Sequence, residues 1–506
     1  MAVARTLAIA LHGVDGALVE IEADLANGLP AFTIIGLPDA ALGEAKDRVR
    51  SAAVNSGCDL PPRKVTVNLS PASLPKHGSG FDLGIAVAAL ATTGVIESAA
   101  IDRVVHVGEL SLDGRLRPVA GVLPSVLAAR RAGAVAVVVP SGNADEARLV
   151  PGIRVIAAAS LRDVLIGHGA RLDPVPVEAL EPPMAVAPPS QPGDLADVVG
   201  HPEAVEALQI AAAGGHHLLM LGPPGAGKTL LASRLPGLLP DLDPDAAVEV
   251  SSVRSLAGLP IGPSLVTRPP LEAPHHSATM AALVGGGSGL VRPGAISRAS
   301  HGVLFLDEAP EFSASVLDAL RQPLETGEIT IHRARAVARF PARFQLVLAA
   351  NPCPCGQGGG DDCTCSSLTR RRYLARLSGP LLDRIDLHLT VRRVGAAQLT
   401  EGGSPGATTL EARQRVAIAR ARTAERWGDA GCPVTAMAPG ALLRSPRWRL
   451  PAADRAALDR ALERGAITMR GYDRVLRVAW TIADLEGDDR PRADHLGRAL
   501  YLRKGI

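Results

Sequence analysis

A phosphate-binding loop is the most specific chemical feature of this 506-residue chain. An apolar run, Leu218–Leu221, leads into Gly222-x4-Gly227-Lys228-Thr229, and a helical segment follows. A loop of this pattern, between a strand and a helix, wraps backbone N–H groups around nucleotide phosphates. In such loops the lysine contacts the β- and γ-phosphates, and the threonine hydroxyl coordinates Mg²⁺. The sequence therefore predicts ATP and Mg²⁺ as cofactors, bound by Gly222, Pro223, Pro224, Gly225, Ala226, Gly227, Lys228 and Thr229.

Polar residues at two further strand ends complete the predicted nucleotide site. Asp307 and Glu308 follow the apolar strand residues 303–306, and parallel sheets place their chemistry at strand ends. We predict that Asp307 holds the Mg²⁺ shell and that Glu308 polarises the attacking water. The alternative is an acidic pair that only caps a helix. Asn351 ends a third predicted strand, residues 344–349, and AAA+ folds use a polar residue there to orient water near the γ-phosphate.

Arginines in the C-terminal half are candidates for stabilising the transferred phosphoryl group. Arg384 ends a predicted helix just before a strand, a position that suits a finger reaching into a neighbouring subunit's ATP site. The alternative for Arg384 is an intrachain salt bridge with Asp383 or Asp386. Within MRGYDRVLRVAW, Arg470 and Arg474 are candidates for the lid arginine that senses the γ-phosphate, and we favour Arg470.

Several longer motifs resemble those of the magnesium-chelatase-like AAA+ proteins, and within them the YifB/ComM group. They are a His-His-Ser triplet at 275–277, GGGSG, PGAISRASHGVLFLDEAPEF, NPCPCG and SGPLLDRIDLH. The resemblance implies a Lon-protease-like N-terminal domain, an AAA+ core and a helical C-terminal domain, assembled as rings, usually hexamers. ComM-type proteins are implicated in natural transformation, where they drive branch migration of DNA as helicases. The chain departs from the expected pattern at Ala295, Arg298 and His201, outside the phosphate chemistry.

Composition along the chain predicts an α/β multidomain fold. Short Val/Ile-rich runs alternate with Ala-rich helical stretches in the first third, and Ala/Arg/Leu-rich helical spacing fills the C-terminal part. Proline-rich and glycine-containing polar segments separate these parts. We predict a Lon-protease-like (ribosomal S5 domain 2-like) α+β domain at 1–170, a linker at 171–193, an AAA+ P-loop α/β core at 194–395, a linker at 396–409 and a C-terminal helical lid domain at 410–506.

The N-terminal segment resembles Lon-type domains but lacks their catalytic pair. Lon proteases use a serine activated by a deprotonated lysine. The stretch that matches their lysine motif, residues 120–126, contains no lysine, and Gly80 stands where their serine is expected. Ser79 is adjacent, but the motif supplies no activating base. We therefore expect no peptidase activity and predict a scaffold or a nucleic-acid-binding platform.

Four cysteines follow Asn351 in the pattern C-x-C-x7-C-x-C. Four thiolates so close in sequence could surround one tetrahedral Zn²⁺, although C-x-C is tighter than the usual zinc spacing. The alternative is four free thiols in an exposed loop. Both readings concern Cys353, Cys355, Cys363 and Cys365, whereas Cys58 and Cys432 are predicted to be buried apolar residues.

Two segments are candidates for contact with a polymer in the pore of a ring. The glycine-rich stretch 281–294 carries Arg292, and a predicted strand–turn–strand at 328–340 carries Arg333, Arg335 and Arg339. Basic tips suit phosphate backbones, which are recognised by charge rather than by sequence. The alternative is an ordinary hairpin with solvated arginines. The net charge is −9 up to Cys365 and +11 from Ser366 onward, which adds weight to a polyanionic partner.

These features together predict an ATPase motor that translocates on single-stranded or branched DNA, as a helicase in transformation or recombination. The alternatives are a motor subunit of a metal chelatase and a protein-remodelling ATPase. With aromatic residues at 2%, a base-stacking platform for single strands is disfavoured. The chain shows no secretion signal, disulfide framework or membrane-spanning apolar run, so we expect a cytoplasmic protein with no membrane contact.

Overall fold

The computed structural model describes residues 3–36, 43–181, 193–287, 291–332, 337–357, 363–395 and 407–504. Arg333 and Arg335 lie outside these ranges, as do most of the two predicted linkers. The described start of the first linker, residues 171–181, forms neither helix nor strand. Among the described residues, every helix is too short or too polar to cross a membrane.

A mixed sheet organises the N-terminal part. The strands of this part are β1 (Val3–His12), β2 (Asp15–Ala26), β3 (Ala31–Ile35), β4 (Lys64–Ser70), β5 (Val104–His106), β6 (Glu109–Leu110), β7 (Leu116–Arg117), β8 (Ala136–Pro140) and β9 (Arg154–Ala158). Strands β6 and β7 form a separate two-stranded sheet. The helices are α1 (Ala45–Asn55), α2 (Asp82–Ala91), α3 (Ser98–Ile101), α4 (Val122–Arg131), α5 (Ala144–Arg148) and α6 (Leu161–Gly167). The sheet order is β3-β4-β2-β1-β5-β8-β9, with antiparallel pairing at β4-β2-β1 and parallel pairing elsewhere. Helix α2 is buried along its whole length, since all but its first residue are apolar or glycine.

A second, parallel sheet forms the middle of the chain. The strands in the middle of the chain are β10 (Leu218–Leu221), β11 (Leu271–Glu272), β12 (Gly285–Gly286), β13 (Arg292–Pro293), β14 (Val303–Leu306), β15 (Glu328–His332), β16 (Val337–Pro341), β17 (Gln345–Ala350) and β18 (Leu387–Thr390). The helices are α7 (Pro202–Gly214), α8 (Lys228–Leu238), α9 (Pro244–Leu256), α10 (Met280–Val284), α11 (Ala295–Arg298), α12 (Ala314–Ala319), α13 (Pro323–Thr326), α14 (Ser367–Leu374) and α15 (Gly379–Leu382). The order β11-β14-β17-β10-β18 is wholly parallel, so the loops after β10, β14 and β17 meet at one edge.

The C-terminal part is helical. It comprises α16 (Thr409–Trp427), α17 (Gly440–Leu443), α18 (Ala452–Glu463), α19 (Met469–Glu486) and α20 (Ala493–Lys504). Helix α19 packs against α20, α16 and α7. Three tryptophans, Trp427, Trp448 and Trp480, meet edge to face with ring centroids 5.2 to 5.9 Å apart. Such pairs stabilise a core beyond their buried area.

A buried polar network joins these helices to the parallel sheet. Asp386, directly before β18, pairs with Arg474 of α19 and lies 3.4 Å from Nδ1 of His216. The backbone N–H of His217 also donates to this carboxylate, at 3.2 Å. Burial alone would raise the pKa of Asp386, but Arg474 and His216 hold it below its ordinary value. The buried carboxylate is therefore ionised and fixes α19 relative to the sheet.

The neutral ring of His217 makes folding sensitive to acid. Burial lowers its pKa to about 4, and the backbone N–H of Leu346 donates to its Nδ1 at 3.0 Å. Between about pH 6.5 and pH 4 the unfolded chain binds a proton here that the folded chain does not, so stability is lost as the pH falls. From pH 7 to pH 5 this costs about 2 kcal/mol. We predict that His217→Asn, which keeps an acceptor but cannot titrate, loses about this much of the pH dependence in urea unfolding.

The matched control is His332→Asn, at an exposed position on β15. It should leave the difference between pH 7 and pH 5 as in wild type. A His217→Asn chain with the full wild-type pH dependence would contradict this role for the ring.

Candidate ATP-binding site and its surroundings

The phosphate-binding loop lies between β10 and α8, as its motif predicts. Gly222 passes close to β18: a Cβ at this position would lie 2.2 Å from the carbonyl oxygen of Val391. Gly227 adopts φ 89° directly before the first residue of α8, a conformation that side chains other than glycine rarely adopt. The N-terminus of this helix offers unpaired N–H groups and the positive end of its dipole, which suits phosphate.

Lys228 and Asn351 lie together at the sheet edge. The Lys228 Nζ donates to the carbonyl oxygens of Gly222 at 2.6 Å and Pro223 at 3.0 Å, and to Oδ1 of Asn351 at 3.0 Å. Burial lowers the pKa of Lys228, while the nearby Asp307 and Glu308 act in the opposite direction. The ammonium group is thus held by neutral oxygens of the loop itself, which phosphate oxygens can replace as stronger partners.

The acidic pair faces the same loop. The Thr229 hydroxyl donates to Oδ2 of Asp307 at 2.7 Å, so two oxygen ligands of the kind Mg²⁺ prefers are adjacent. The backbone N–H of Glu308 donates to Oδ1 of Asp307 at 2.9 Å. Glu308 has φ 50°, a strained conformation for a residue other than glycine, of the kind that clusters at active sites. These residues fit a magnesium-bound nucleotide.

Sequence reasoning missed the role of a histidine beside Glu308. Nδ1 of His276 lies 3.4 Å from Oε2 of Glu308. The His275 ring packs on the His276 ring, with centroids 4.0 Å apart. Both rings line a cavity of about 390 Å³ together with Thr229, Asp307 and Glu308. The available signal was the His-His-Ser triplet, which the sequence marks only as part of a resemblance. The polar histidine pair follows the edge strand β11, which pairs with β14.

A larger cavity of about 630 Å³ opens on the other side of the loop, between α7 and the C-terminal helices. His201 joins it to the phosphate loop, because a Cβ on Gly227 would lie 3.6 Å from Nε2 of His201. Its size and its mixture of apolar and polar lining residues suit a planar base. Sequence reasoning did not find this cavity, whose apolar lining includes Val198, Val199, Val205, Ile210, Ile482 and Leu485.

Arg384 lies away from the phosphate loop of its own chain. Its Nη1 donates to the carbonyl oxygen of Pro380 at 2.6 Å, and its Nη2 pairs with Glu325. The intrachain salt bridge considered from the sequence therefore exists, but with Glu325 rather than with Asp383 or Asp386. Asp386 is bonded to Arg474 instead.

Arg470 lines the same cavity as Arg384, a space of about 250 Å³ that also includes Arg474 and Arg477. This cavity shares no lining residue with the one that contains Asp307 and Glu308. Arg470 is exposed and makes no hydrogen bond or ion pair with the described part of the chain. Both predicted arginines thus line one arginine-rich cavity, which also contains Glu325, Asp383 and Asp386 and is separate from the cavity of the chain's own acidic pair.

The two candidate pore segments are neighbouring hairpins. Strands β12 and β13 pair antiparallel, as do β15 and β16, and Arg292 and Arg339 are both exposed. Val291 packs with Ala338 and Phe340 in one apolar cluster. The structure therefore brings Arg292 and Arg339 onto adjoining elements.

The turn between β1 and β2 contacts the second hairpin. The backbone N–H of Val14 donates to the carbonyl oxygen of Arg339 at 3.4 Å. At Gly13 a Cβ would lie 1.9 Å from this oxygen, and the residue adopts φ 72°, so only glycine fits. The N-terminal sheet is thus in direct contact with the element that carries Arg339.

Lys76 and Ser79, which lie near the position expected for the Lon-type serine, do not form a hydrogen bond with each other. The Lys76 Nζ is buried and donates to the carbonyl oxygens of Gly36 and Leu69, each at 2.9 Å. The Ser79 hydroxyl instead donates to Glu109. The Lys76 ammonium group therefore has backbone oxygens as its hydrogen-bond partners.

The four clustered cysteines converge. The Sγ atoms of Cys353, Cys355 and Cys363 lie 3.2 to 3.8 Å apart, and Cys365 completes a group within 4.8 Å. None of the four forms a disulfide, and Cys353 is buried. Cys58 and Cys432, predicted as apolar core residues, are buried elsewhere.

Comparisons with known proteins match the chain along nearly its whole length. Family models described as "Magnesium chelatase, subunit ChlI", "Subunit ChlI of Mg-chelatase" and "Magnesium chelatase, subunit ChlI C-terminal" match residues 194–399, 21–143 and 406–503. An uncharacterized protein of Mycobacterium tuberculosis strain H37Rv is 50% identical over 514 residues, covering 100% of this chain and 99% of that protein.

Two named relatives are also similar over their full length. The competence protein ComM of Haemophilus influenzae is 43% identical over 508 residues, covering 99% of this chain and 98% of that protein. The uncharacterized protein YifB of Escherichia coli K12 is 41% identical over 498 residues, covering 97% and 95%. A Lon protease of Heliobacterium modesticaldum is 33% identical over 128 residues, covering 24% of this chain and 15% of that protein.

Proposed function

The chain belongs to the YifB/ComM family of magnesium-chelatase-like AAA+ ATPases, and we propose that it is a motor that translocates on DNA. The observation that carries this proposal is the pair of adjoining hairpins with exposed Arg292 and Arg339. They belong to the same domain as a nucleotide site whose loop and acidic residues are already in contact. The similarity to a competence protein supports DNA as the polymer.

Each residue of the nucleotide site has a separate role in ATP hydrolysis. Lys228 and the N–H groups at the start of α8 bind the phosphates, and the base enters the cavity beside His201. Thr229 and Asp307 would hold Mg²⁺, which would neutralise phosphate charge when bound. Glu308 accepts the proton of the attacking water, and Asn351 orients that water. His276, whose Nδ1 lies 3.4 Å from Oε2 of Glu308, directs this carboxylate.

The site is completed by a neighbouring subunit. Arg384 and Arg470 line one cavity that shares no residue with the cavity of the acidic pair of their own chain. In a ring, this cavity meets the neighbour's ATP, so that Arg384 neutralises charge developing on the transferred phosphoryl group. Arg384 must then exchange its bond to Glu325 for a phosphate oxygen. We propose a homo-oligomeric ring, with a hexamer as the expected size.

The N-terminal part is proposed to be a Lon-protease-like scaffold without peptidase activity. The absence of a lysine at 120–126 and the hydrogen bonds of Lys76 to backbone oxygens support the loss of the reaction. Through the contact between Val14 and Arg339, this scaffold supports the hairpin that faces DNA.

DNA binding should depend on the two hairpins. We predict that a double variant, Arg292→Ser with Arg339→Ser, binds single-stranded DNA more weakly and with a smaller dependence on salt. Each lost phosphate contact should reduce the slope of log affinity against log salt by about 1. The measurement is fluorescence anisotropy with a labelled oligonucleotide across a salt series.

The control is a double variant at exposed arginines outside both hairpins, Arg131→Ser with Arg464→Ser. It should keep the wild-type slope. If the hairpin variant binds DNA as wild type does, the hairpins are not the DNA-contacting elements.

The family models that match the chain are described as a magnesium chelatase subunit, which favours a chelatase-type motor as a second candidate. The two candidates share the nucleotide site and differ in what the motor acts on, which is DNA in the first and a metal-chelating complex in the second. A hairpin surface without affinity for any DNA would favour the second.

A further inference from the structure

Four thiols converge beside the phosphate loop, and the distances between their sulfur atoms can be compared with those of a zinc site. The Sγ distances are 3.2 Å for Cys353–Cys355, 3.8 Å for Cys353–Cys363 and 3.6 Å for Cys355–Cys363. Four thiolates about 2.3 Å from a tetrahedral zinc ion have S···S edges of about 3.8 Å. The edges of 3.8 and 3.6 Å are close to this value, the Cys353–Cys355 edge of 3.2 Å is shorter, and Cys365 lies within 4.8 Å of the others.

Pairwise disulfide chemistry does not explain this arrangement. A disulfide joins two sulfurs, whereas here three sulfurs lie 3.2 to 3.8 Å apart and the fourth lies within 4.8 Å of them. Isolated apolar cysteines do not explain it either, because Cys355 is exposed while Cys58 and Cys432 are buried and far from other thiols. A group of only thiolate ligands in a tetrahedral arrangement selects zinc or an iron–sulfur cluster. Because all four cysteines come from one short segment, we favour a single zinc ion over an iron–sulfur cluster.

The cysteine loop also contacts the nucleotide site. It begins two residues after Asn351, whose Oδ1 accepts from Lys228 at 3.0 Å. Gly356, between the two cysteine pairs, adopts φ 82°, and a Cβ there would lie 2.6 Å from Cγ of Pro224. Gly356 therefore packs directly on the phosphate-binding loop at Pro224. Beyond Cys365, Ser366 caps helix α14.

We propose that Cys353, Cys355, Cys363 and Cys365 bind one structural zinc ion, and that the zinc-bound loop holds Asn351 and Pro224 in the conformation that binds nucleotide. The described residues on either side, 351–357 and 363–366, form neither helix nor strand, so the ion would fix the backbone after β17 and before α14. The second part of this proposal rests on the ATPase function proposed above, whereas the first part does not.

The first test is the metal content of the full-length chain purified without added metal or affinity-tag histidines, measured by mass spectrometry for zinc and iron. We expect one zinc per chain in wild type, and loss of the metal in Cys355→Ser and Cys365→Ser. Both positions are accessible, so these variants should fold even if Cys353→Ser does not. A wild-type chain with no metal, or with iron in place of zinc, would overturn the assignment.

The matched control is Cys432→Ser. The Cys432 Sγ already donates to the carbonyl oxygens of Ala430 and Met437, at 3.5 and 3.6 Å, and a serine hydroxyl can do the same. This variant should retain one zinc per chain. Loss of zinc in Cys432→Ser to the same extent as in Cys355→Ser would show that metal loss reports general unfolding rather than ligation.

The second test measures the affinity for a fluorescent ATP analogue. We expect about tenfold weaker binding in Cys355→Ser than in Cys432→Ser. Gly356→Val should retain zinc but also bind the analogue more weakly, because its side chain displaces Pro224. Unchanged affinity in both Cys355→Ser and Gly356→Val would overturn the coupling to the nucleotide site. Wild type that holds zinc but binds no nucleotide would instead refute the proposed ATPase function and leave the zinc site standing.

Discussion

Glu308→Gln should bind ATP as wild type does but hydrolyse it at least about a hundredfold more slowly. The amide has nearly the shape of the carboxylate but cannot take the proton of the attacking water. Because Lys228, Thr229 and Asp307 are unchanged, the phosphates and Mg²⁺ should remain bound. The hydrolysis rate is measured in a single turnover with radiolabelled ATP, and binding is measured separately with a fluorescent analogue.

The matched control is Glu311→Gln, three residues further along the chain and paired with Arg376 rather than with the nucleotide site. It should hydrolyse ATP at close to the wild-type rate. A Glu308→Gln chain that turns over ATP normally would show that another group activates the water.

Arg384→Ala should reduce the ATP hydrolysis rate by about a thousandfold, the size expected for an arginine that completes a phosphoryl-transfer site. Nucleotide affinity should change far less, since Arg384 does not contact the phosphate loop of its own chain. Alanine also removes the bond to Glu325. Glu325→Gln is therefore the control, and it should retain most of the activity.

Action between subunits can be tested by mixing two inactive variants. Lys228→Ala cannot bind ATP but keeps Arg384, whereas Arg384→Ala binds ATP but lacks the arginine. In mixed rings, some interfaces pair an intact phosphate loop with an intact Arg384, so ATP hydrolysis should reappear. No recovery in mixtures shown to form joint rings would indicate that Arg384 acts within its own chain.

The sequence predicts the local parts of the nucleotide site well, because they depend on short patterns. The glycine spacing before Lys228 and the acids after β14 specify their own backbone context, and the structure brings Thr229 and Asp307 into contact. Asn351 was predicted from its place at a strand end, and its bond to Lys228 follows from the neighbouring positions of β10 and β17. Their catalytic roles remain predictions, as do the proposed domain boundaries.

Contacts between distant segments could not be predicted in the same way. The approach of His276 to Glu308 depends on an edge strand of two residues, too short to leave a periodic signal. The choice of Glu325 over Asp383 as the partner of Arg384 depends on how α13 packs near α15. Similarly, the contact between Val14 and Arg339 joins segments far apart in the chain, and no local pattern indicates it.

The central claim is that hydrolysis at this site is coupled to DNA. The measurement that tests it most directly is the ATP hydrolysis rate with and without single-stranded, forked and branched DNA at one fixed salt concentration, since phosphate binding depends on salt. The account predicts a several-fold stimulation by at least one of these DNAs, absent in Glu308→Gln and weakened in the double variant of Arg292 and Arg339. An ATPase whose rate is the same with and without every DNA would contradict it.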